Sequence, residues 1–346
     1  MTQAQQSIAS QRAQNNLNKQ LMNEIKLNNL SKVKELIEAG ANVNIQNKEG
    51  WSALHLATVR ANTEAIKLLI EAGANINLKG VSDKTALHLA VQQDNLEIVR
   101  ELIQLNADTN IQDKSGHTAL MYASAKENSE IVHEILKAQA TNVNIQEPSG
   151  KTALIYAAAK GNSEIAQQIL KADAKVDLYA KGGKTALIYA TAKGNLEIVT
   201  LLTNAGANVN FKDKDGKTAL FYTAANGNDK ILKFLVNSEA VINIQDKNSH
   251  TPLMYASKNG NIEIVKTLID AGADLNLKGR DGKTALDYAK ESGNEEIARL
   301  LDGTATIDHD VLTPVVTNEF HNDITEENNS DPTLAGTDIN ADGLVL

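Results

Sequence analysis

The residues best suited to chemistry are four Gly-Lys-Thr triplets, starting at Gly150, Gly183, Gly216 and Gly282, and the run Asp338-x-Asn340-x-Asp342-Gly343. Gly-Lys-Thr closes the loop that cradles nucleotide phosphates, where backbone N–H groups and the lysine hold the phosphates and the hydroxyl reaches magnesium. That loop also needs a glycine five residues before its Gly-Lys pair. Ile145, Leu178, Phe211 and Leu277 stand there, so phosphate binding of this kind is not expected. The acidic run matches the opening of a calcium loop, whose bidentate Glu at position twelve would fall beyond Leu346. In a segment rich in Asp and Asn, such a match arises by chance. There is no cysteine, which removes thiol nucleophiles, disulfides and thiolate-held zinc. The seven histidines form no metal-ligand spacing, and no nucleophile–base arrangement is visible. No catalytic residue, cofactor or metal ligand is expected.

What remains is a composition for packing helices. Apolar residues make up 42% and aromatics only 3%, so the core must come from Leu, Ile, Val and Ala. The first twenty residues, MTQAQQSIASQRAQNNLNKQ, lack the apolar centre of a secretory signal. The longest apolar run, about residues 153–159, is far short of the roughly 20 residues a membrane span needs. A cytoplasmic protein without membrane association is expected, with export by a signal-less route left open. Charge is unevenly divided. From Asp302 onward there are ten acidic residues and no Lys or Arg, which leaves residues 1–301 with 34 basic and 33 acidic side chains. A near-neutral body therefore carries an acidic tail.

Internal repetition dominates the body. A Ser/Thr-x-Leu triplet begins at Ser52, Thr85, Thr118, Thr152, Thr185, Thr218, Thr251 and Thr284, at spacings of 33 residues with one of 34. Ten residues after each comes Asn: Asn62, Asn95, Asn128, Asn162, Asn195, Asn228, Asn261 and Asn294. Turn-forming residues such as Asp213-Lys214-Asp215-Gly216 precede each triplet. The hydroxyl suits the N-cap of a first helix and the Asn that of a second. Apolar residues three, four, seven and eight after the Asn, as in Ile264, Val265, Leu268 and Ile269, fall on one helical face. One copy cannot bury that face alone, so stability must come from neighbours.

The string Gly-x-Thr-(Ala/Pro)-Leu-x-x-Ala, with Gly-Asn-x-Glu-Ile-Val and Ala-Gly-Ala-Asn-Val-Asn after it, closely resembles the ankyrin repeat. The resemblance covers about residues 18–301. It departs at the family's Thr-Pro-Leu-His, with Pro only at Pro252 and His only at His55 and His88. It implies an all-α repeat solenoid of stacked helix pairs with projecting turns, a concave face made of turns and first helices, and protein binding without catalysis. The expected division is a polar, disordered segment 1–17 and a solenoid 18–301. Within the solenoid, a cap at 18–46 precedes copies 47–79, 80–112, 113–146, 147–179, 180–212, 213–245, 246–278 and 279–301. An acidic, disordered tail occupies 302–346. Copy 213–245 departs most from the template, with Thr223, Lys230 and Glu239, and is expected to open first.

By the same resemblance, specificity should lie at the turn tips and the exposed ends of the first helices. The candidate partner-binding residues there are Trp51, Arg60, His117, Lys126, Lys151, Lys160, Lys184, Lys193, Lys217, Lys258 and Lys283. Such a row of cations suits a protein partner with an acidic segment, although turn acids such as Asp113, Glu147, Asp213 and Asp281 should dilute it. Tyr122, Tyr156, Tyr189, Tyr222, Tyr255 and Tyr288 share one register and are expected to pack between copies, with hydroxyls at a wet edge. Nucleic acid is not expected, since the body carries only one excess positive charge and lacks interleaved aromatics. A monomeric interaction scaffold is the leading expectation, with intramolecular docking of tail 302–346 on the cation row as a corollary. The alternatives are a regulator or inhibitor that delivers its acidic tail to a catalytic partner, and an effector exported by an intracellular bacterium to bind host proteins.

Overall fold

A computed structural model describes residues 3–304. The Asp338–Gly343 run, and the acidic tail from residue 305 with its expected docking, lie outside the described residues. Two helices open the array, α1 (Gln3–Lys26) and α2 (Leu30–Glu38). Pairs follow: α3 (Ala53–Val59) with α4 (Thr63–Glu71), α5 (Ala86–Gln92) with α6 (Leu96–Gln104), α7 (Ala119–Ala125) with α8 (Ser129–Lys137), and α9 (Ala153–Lys160) with α10 (Ser163–Leu170). A hairpin of β1 (Tyr179–Ala180) and β2 (Lys184–Thr185) then leads to α11 (Ala186–Lys193) and α12 (Leu196–Asn204). The last pairs are α13 (Ala219–Asn226) with α14 (Asp229–Asn237), α15 (Pro252–Asn259) with α16 (Ile262–Asp270), and α17 (Ala285–Glu291) with α18 (Glu295–Leu301). First helices pack on first helices, from α1 on α3 to α15 on α17.

The caps explain why such short helices form. Thr118, Thr152 and Thr185 accept the N–H of Met121, Ile155 and Ile188 at 3.2–3.4 Å. Asn62, Asn95, Asn128, Asn162, Asn195 and Asn228 do the same for the second helices at 2.8–3.1 Å. Asn261 and Asn294 depart from this pattern. Their amides turn back to donate to Ala224 O (2.9 Å) and Ser257 O (2.8 Å) in the preceding copy. Each first helix buries its Leu and small Ala, such as Leu54 and Ala57, and each second helix buries its Ile-Val or equivalent pair, such as Ile198 and Val199. At roughly 2 kcal/mol per buried Leu or Ile, this burial is the main drive to stack.

Hydrogen bonds between neighbours lock the register. Asn44, Asn110, Asn144, Asn210 and Asn243 each clasp the next copy, the amide donating to a loop carbonyl and the oxygen accepting an N–H near the start of the following loop. At the turn tips, Lys181, Lys214, Lys247 and Arg280 donate their backbone N–H to Ser149, Gly182, Asp215 and Asn248 of the copy before. Pro148 has no N–H to give, so it cannot make such a bond. Gly183 sits in this layer at φ +76°, where a Cβ would lie 2.8 Å from Lys214 N.

One expectation about the elements needs correction. Segment 1–17 is helical from Gln3 rather than disordered. Gln, Ala, Arg and Leu favour helix, and no Gly or Pro interrupts the chain before Gly40. Gln139 stands where a left-handed residue usually ends the second helix, and it does not adopt that conformation. Instead Ala138 is extended and the hydroxyl of the extra residue Thr141 donates to Ile135 O at 2.9 Å. Asn106, Asp173 and Glu239 do take the left-handed form, at φ 63°, 58° and 65°. Glu239 tolerates it poorly, and in the same copy the buried Thr218 hydroxyl has no partner. We therefore expect hydrogen exchange to reach the amides of α13 and α14 before those of neighbouring helices. Uniform protection across residues 180–301 would contradict this.

Candidate partner-binding face

Two registers on the turn and first-helix side hold most of the candidate residues. The first precedes each first-helix cap: Trp51, Lys84, His117, Lys151, Lys184, Lys217, His250 and Lys283. Five of these are lysines, each with its ammonium over a tyrosine ring. They are Lys84 over Tyr122 (5.8 Å), Lys151 over Tyr156 (5.4 Å), Lys184 over Tyr222 (5.1 Å), Lys217 over Tyr255 (4.7 Å) and Lys283 over Tyr288 (5.8 Å). The negative ring face holds the cation, so these charges have fixed places. Lys283 also pairs with Glu291 at 2.6 Å. Trp51 is half-buried, edge-on to His55 at 6.0 Å. His117 lies against Tyr122 and Tyr156 and shares a hydrogen bond with the Tyr156 hydroxyl at 2.9 Å.

The tyrosine hydroxyls are mostly not at a wet edge. Tyr122 donates to Asp113 (2.6 Å), Tyr222 to Asp213 (2.6 Å), Tyr255 to Asp246 (3.0 Å) and Tyr288 to Asp281 (2.8 Å). Asp113, Asp213 and Asp246 are buried, and each also accepts the N–H groups two and four residues on, closing the turn. Glu147 takes the N–H of Ser149 and Lys151 and the Ser149 hydroxyl. Burial works against its carboxylate, yet these donors hold its pKa below the ordinary range. The Tyr156 hydroxyl is pushed up to about 12, by burial first and the Glu147 charge second. These acids build the turns from inside. Sequence reasoning took them for dilution of the cation row because an acid nine residues from a tyrosine matches no helical or strand period.

The second register ends each first helix: Arg60, Gln93, Lys126, Lys160, Lys193, Asn226, Asn259 and Ser292. Here too the protein uses several side chains itself. Gln93, Lys126, Asn226 and Asn259 donate to carbonyls at the end of the preceding first helix, at 2.6–3.2 Å. Lys126 also pairs with Asp94 at 2.5 Å. Arg60, Lys160 and Lys193 are exposed and pair with no acid among the described residues. Lys258, one position earlier, is equally exposed and lines an open cavity of about 520 Å³ with His250, Arg280, Lys283 and Tyr288.

The Gly-Lys-Thr triplets are accounted for by this arrangement, with glycine in the turn at φ +76° to +82°, lysine in the first register and threonine as the cap residue. Among the described residues no group of three or more His, Cys, Asp or Glu could hold a metal, and no helix is long and apolar enough to cross a membrane. A comparison of the sequence with curated proteins gave no match. The family described as "Ankyrin repeats (3 copies)" matches at residues 21–113, 104–181, 173–246 and 220–311. Ankyrin repeats generally mediate protein–protein interaction and are typically non-enzymatic. With helix pairs and caps following one another through the described part of the matched region, the chain belongs to the ankyrin-repeat family.

Proposed function

We propose that the chain is a non-enzymatic interaction scaffold, acting as a monomer, that takes a protein partner with an acidic segment on the face formed by turns and first helices of copies 47–79 to 279–301. The observation that carries this reading is the line of lysines held over tyrosine rings, with Arg60, Lys160, Lys193 and Lys258 unpaired beside it. Four turn acids that would oppose an acidic partner, Asp113, Glu147, Asp213 and Asp246, are buried and bonded inward. Charge complementarity of this kind sets on-rate and partner choice. Trp51, His117, Lys126, Lys151, Lys184, Lys217 and Lys283 complete the proposed surface.

The test is affinity capture with the full chain against Lys184→Glu/Lys217→Glu and Trp51→Ala variants, followed by titration of the captured protein. Reversing two cations should weaken binding about tenfold or more, with the deficit shrinking as salt rises. Undiminished binding by the double variant would move the partner off this face.

A further inference from the structure

Six copies carry the register tyrosine, and five give its hydroxyl a partner within the protein: Asp113, Asp213, Asp246 and Asp281 by accepting, and His117 by sharing the Tyr156 hydroxyl. The remaining copy differs. Nine residues before Tyr189, where three copies have Asp, stands Ala180, and the Tyr189 hydroxyl makes no hydrogen bond to a described residue. The β1–β2 hairpin keeps the backbone pairing that Asp113, Asp213 and Asp246 make with the residue four on, but nothing replaces the carboxylate as the hydroxyl's acceptor. The acid felt at Tyr189 is Glu147, and its oxygens are committed to Ser149 and Lys151.

The copy's own turn and first helix favour an anion, since the one carboxylate that acts on Tyr189, Glu147, belongs to the preceding copy and is saturated by its own donors. Residues 180–194 contain Lys181, Lys184 and Lys193 and no Asp or Glu, whereas the matching stretch of every other copy holds at least one acid. None of these three lysines pairs with an acid among the described residues. Lys184 is held in place over the Tyr222 ring. A Cβ placed on Gly182 would meet nothing within 4 Å, so this side of the turn is open.

Resting on the reading above, we infer that copy 180–212 accepts a carboxylate from the partner, an acidic side chain that bonds the Tyr189 hydroxyl and is neutralised by Lys181, Lys184 and Lys193. The partner thereby supplies from outside the group that Asp113, Asp213 and Asp246 supply from inside. A carboxylate is chosen over other anions because it is what this register uses elsewhere in the molecule.

The experiment titrates the full chain at low ionic strength with an acetylated, amidated Glu-rich peptide, its Gln counterpart, and a neutral peptide with a free C-terminus. The Glu peptide should bind and the other two should not. Tyr189→Phe should weaken binding about tenfold with the melting temperature unchanged. Tyr122→Phe, whose hydroxyl donates to Asp113 and whose ring carries no lysine of this site, should lower the melting temperature and leave affinity intact. Ala180→Asp should raise the melting temperature and weaken binding, and its effect on binding should shrink in combination with Tyr189→Phe, because both remove the same hydroxyl. Wild-type affinity in both Tyr189→Phe and Ala180→Asp would overturn the site. If Lys184→Glu/Lys217→Glu still weakened binding, the broader face would stand. Failure of the wild-type chain to bind the Glu peptide would overturn both, and binding of the free C-terminus alone would replace the side chain by a chain end.

Discussion

Asp213→Ala lowers stability by about 3 kcal/mol, among the largest losses expected from a single turn residue. Its buried carboxylate accepts Asp215 N–H at 2.8 Å, Lys217 N–H at 2.9 Å and the Tyr222 hydroxyl at 2.6 Å. Hydrogen bonds to an ionised group contribute about 1.5–3 kcal/mol each, and removing the acceptor strands three donors. Burial, and then the bond to Asp213, push the Tyr222 phenol above its ordinary range, so it stays a donor throughout the neutral region. The chain tolerates alanine at the same register only at Ala180, where Gly182 and Gly183 let the turn close as a hairpin. Copy 213–245 closes its turn with the same backbone pair, Asp213 N–H to Lys217 O at 2.9 Å, but has Asp215 where Gly182 takes φ +91°, so it lacks that freedom. The measurement is the urea midpoint together with amide exchange at Asp215 and Lys217. Unchanged protection at those two amides would refute the assignment, and Asp215→Ala, which removes only an exposed carboxylate, serves as the control.

The second large effect is on pH. His55 and His88 are each 1% exposed, and burial holds both below the ordinary histidine range. In each, Nδ1 accepts from the backbone N–H and hydroxyl of the cap residue, Ser52 or Thr85. Nε2 donates to a carbonyl of the next copy, Lys84 O at 3.0 Å or His117 O at 3.1 Å. A proton on Nδ1 would face the cap N–H and break this set. The unfolded chain takes up that proton near pH 6.5 while the folded chain resists it, so the unfolded state binds more protons and stability falls as pH drops below about 6.5. From pH 7.5 to 5.5 the loss should reach up to about 1.4 kcal/mol per histidine. Carboxylates held low, Glu134 and Glu147 among them, lose their contribution only further down, below about pH 4.5. Met121 and Met254 occupy the same position in later copies, so His88→Met should flatten the slope without disturbing the fold. An unaltered pH profile in that variant would rule the histidine out as its source.

The helical architecture was legible because its determinants are local. Thr118 with Met121 and Asn62 with Ala65 are three residues apart, and the apolar positions of α16 follow a helical period within one element. The face was legible only as a set of positions. Lys126 reaches Gln92 O 34 residues back, and Tyr222 reaches Asp213 across a turn. Neither contact follows a helical or strand period, so residues committed to holding the array together looked available to a partner. Glu239 and Gln139 show the same limit: both are poor left-handed residues, yet one adopts that conformation and the other avoids it with the help of Thr141. That choice turns on one inserted residue in the loop, which a template cannot weigh.

The asparagine clasps bear on how such a chain can change length. Asn44, Asn110, Asn144, Asn210 and Asn243 each hold the loop of one adjoining copy and no other, with the same two atoms in the same roles. A duplicated or deleted block of 33 residues that began and ended in register would find matching partners on both sides and strand no donor. Whole-unit gain or loss by recombination is therefore structurally silent, whereas an indel of one residue must be repaired on the spot, as Thr141 does with its hydroxyl.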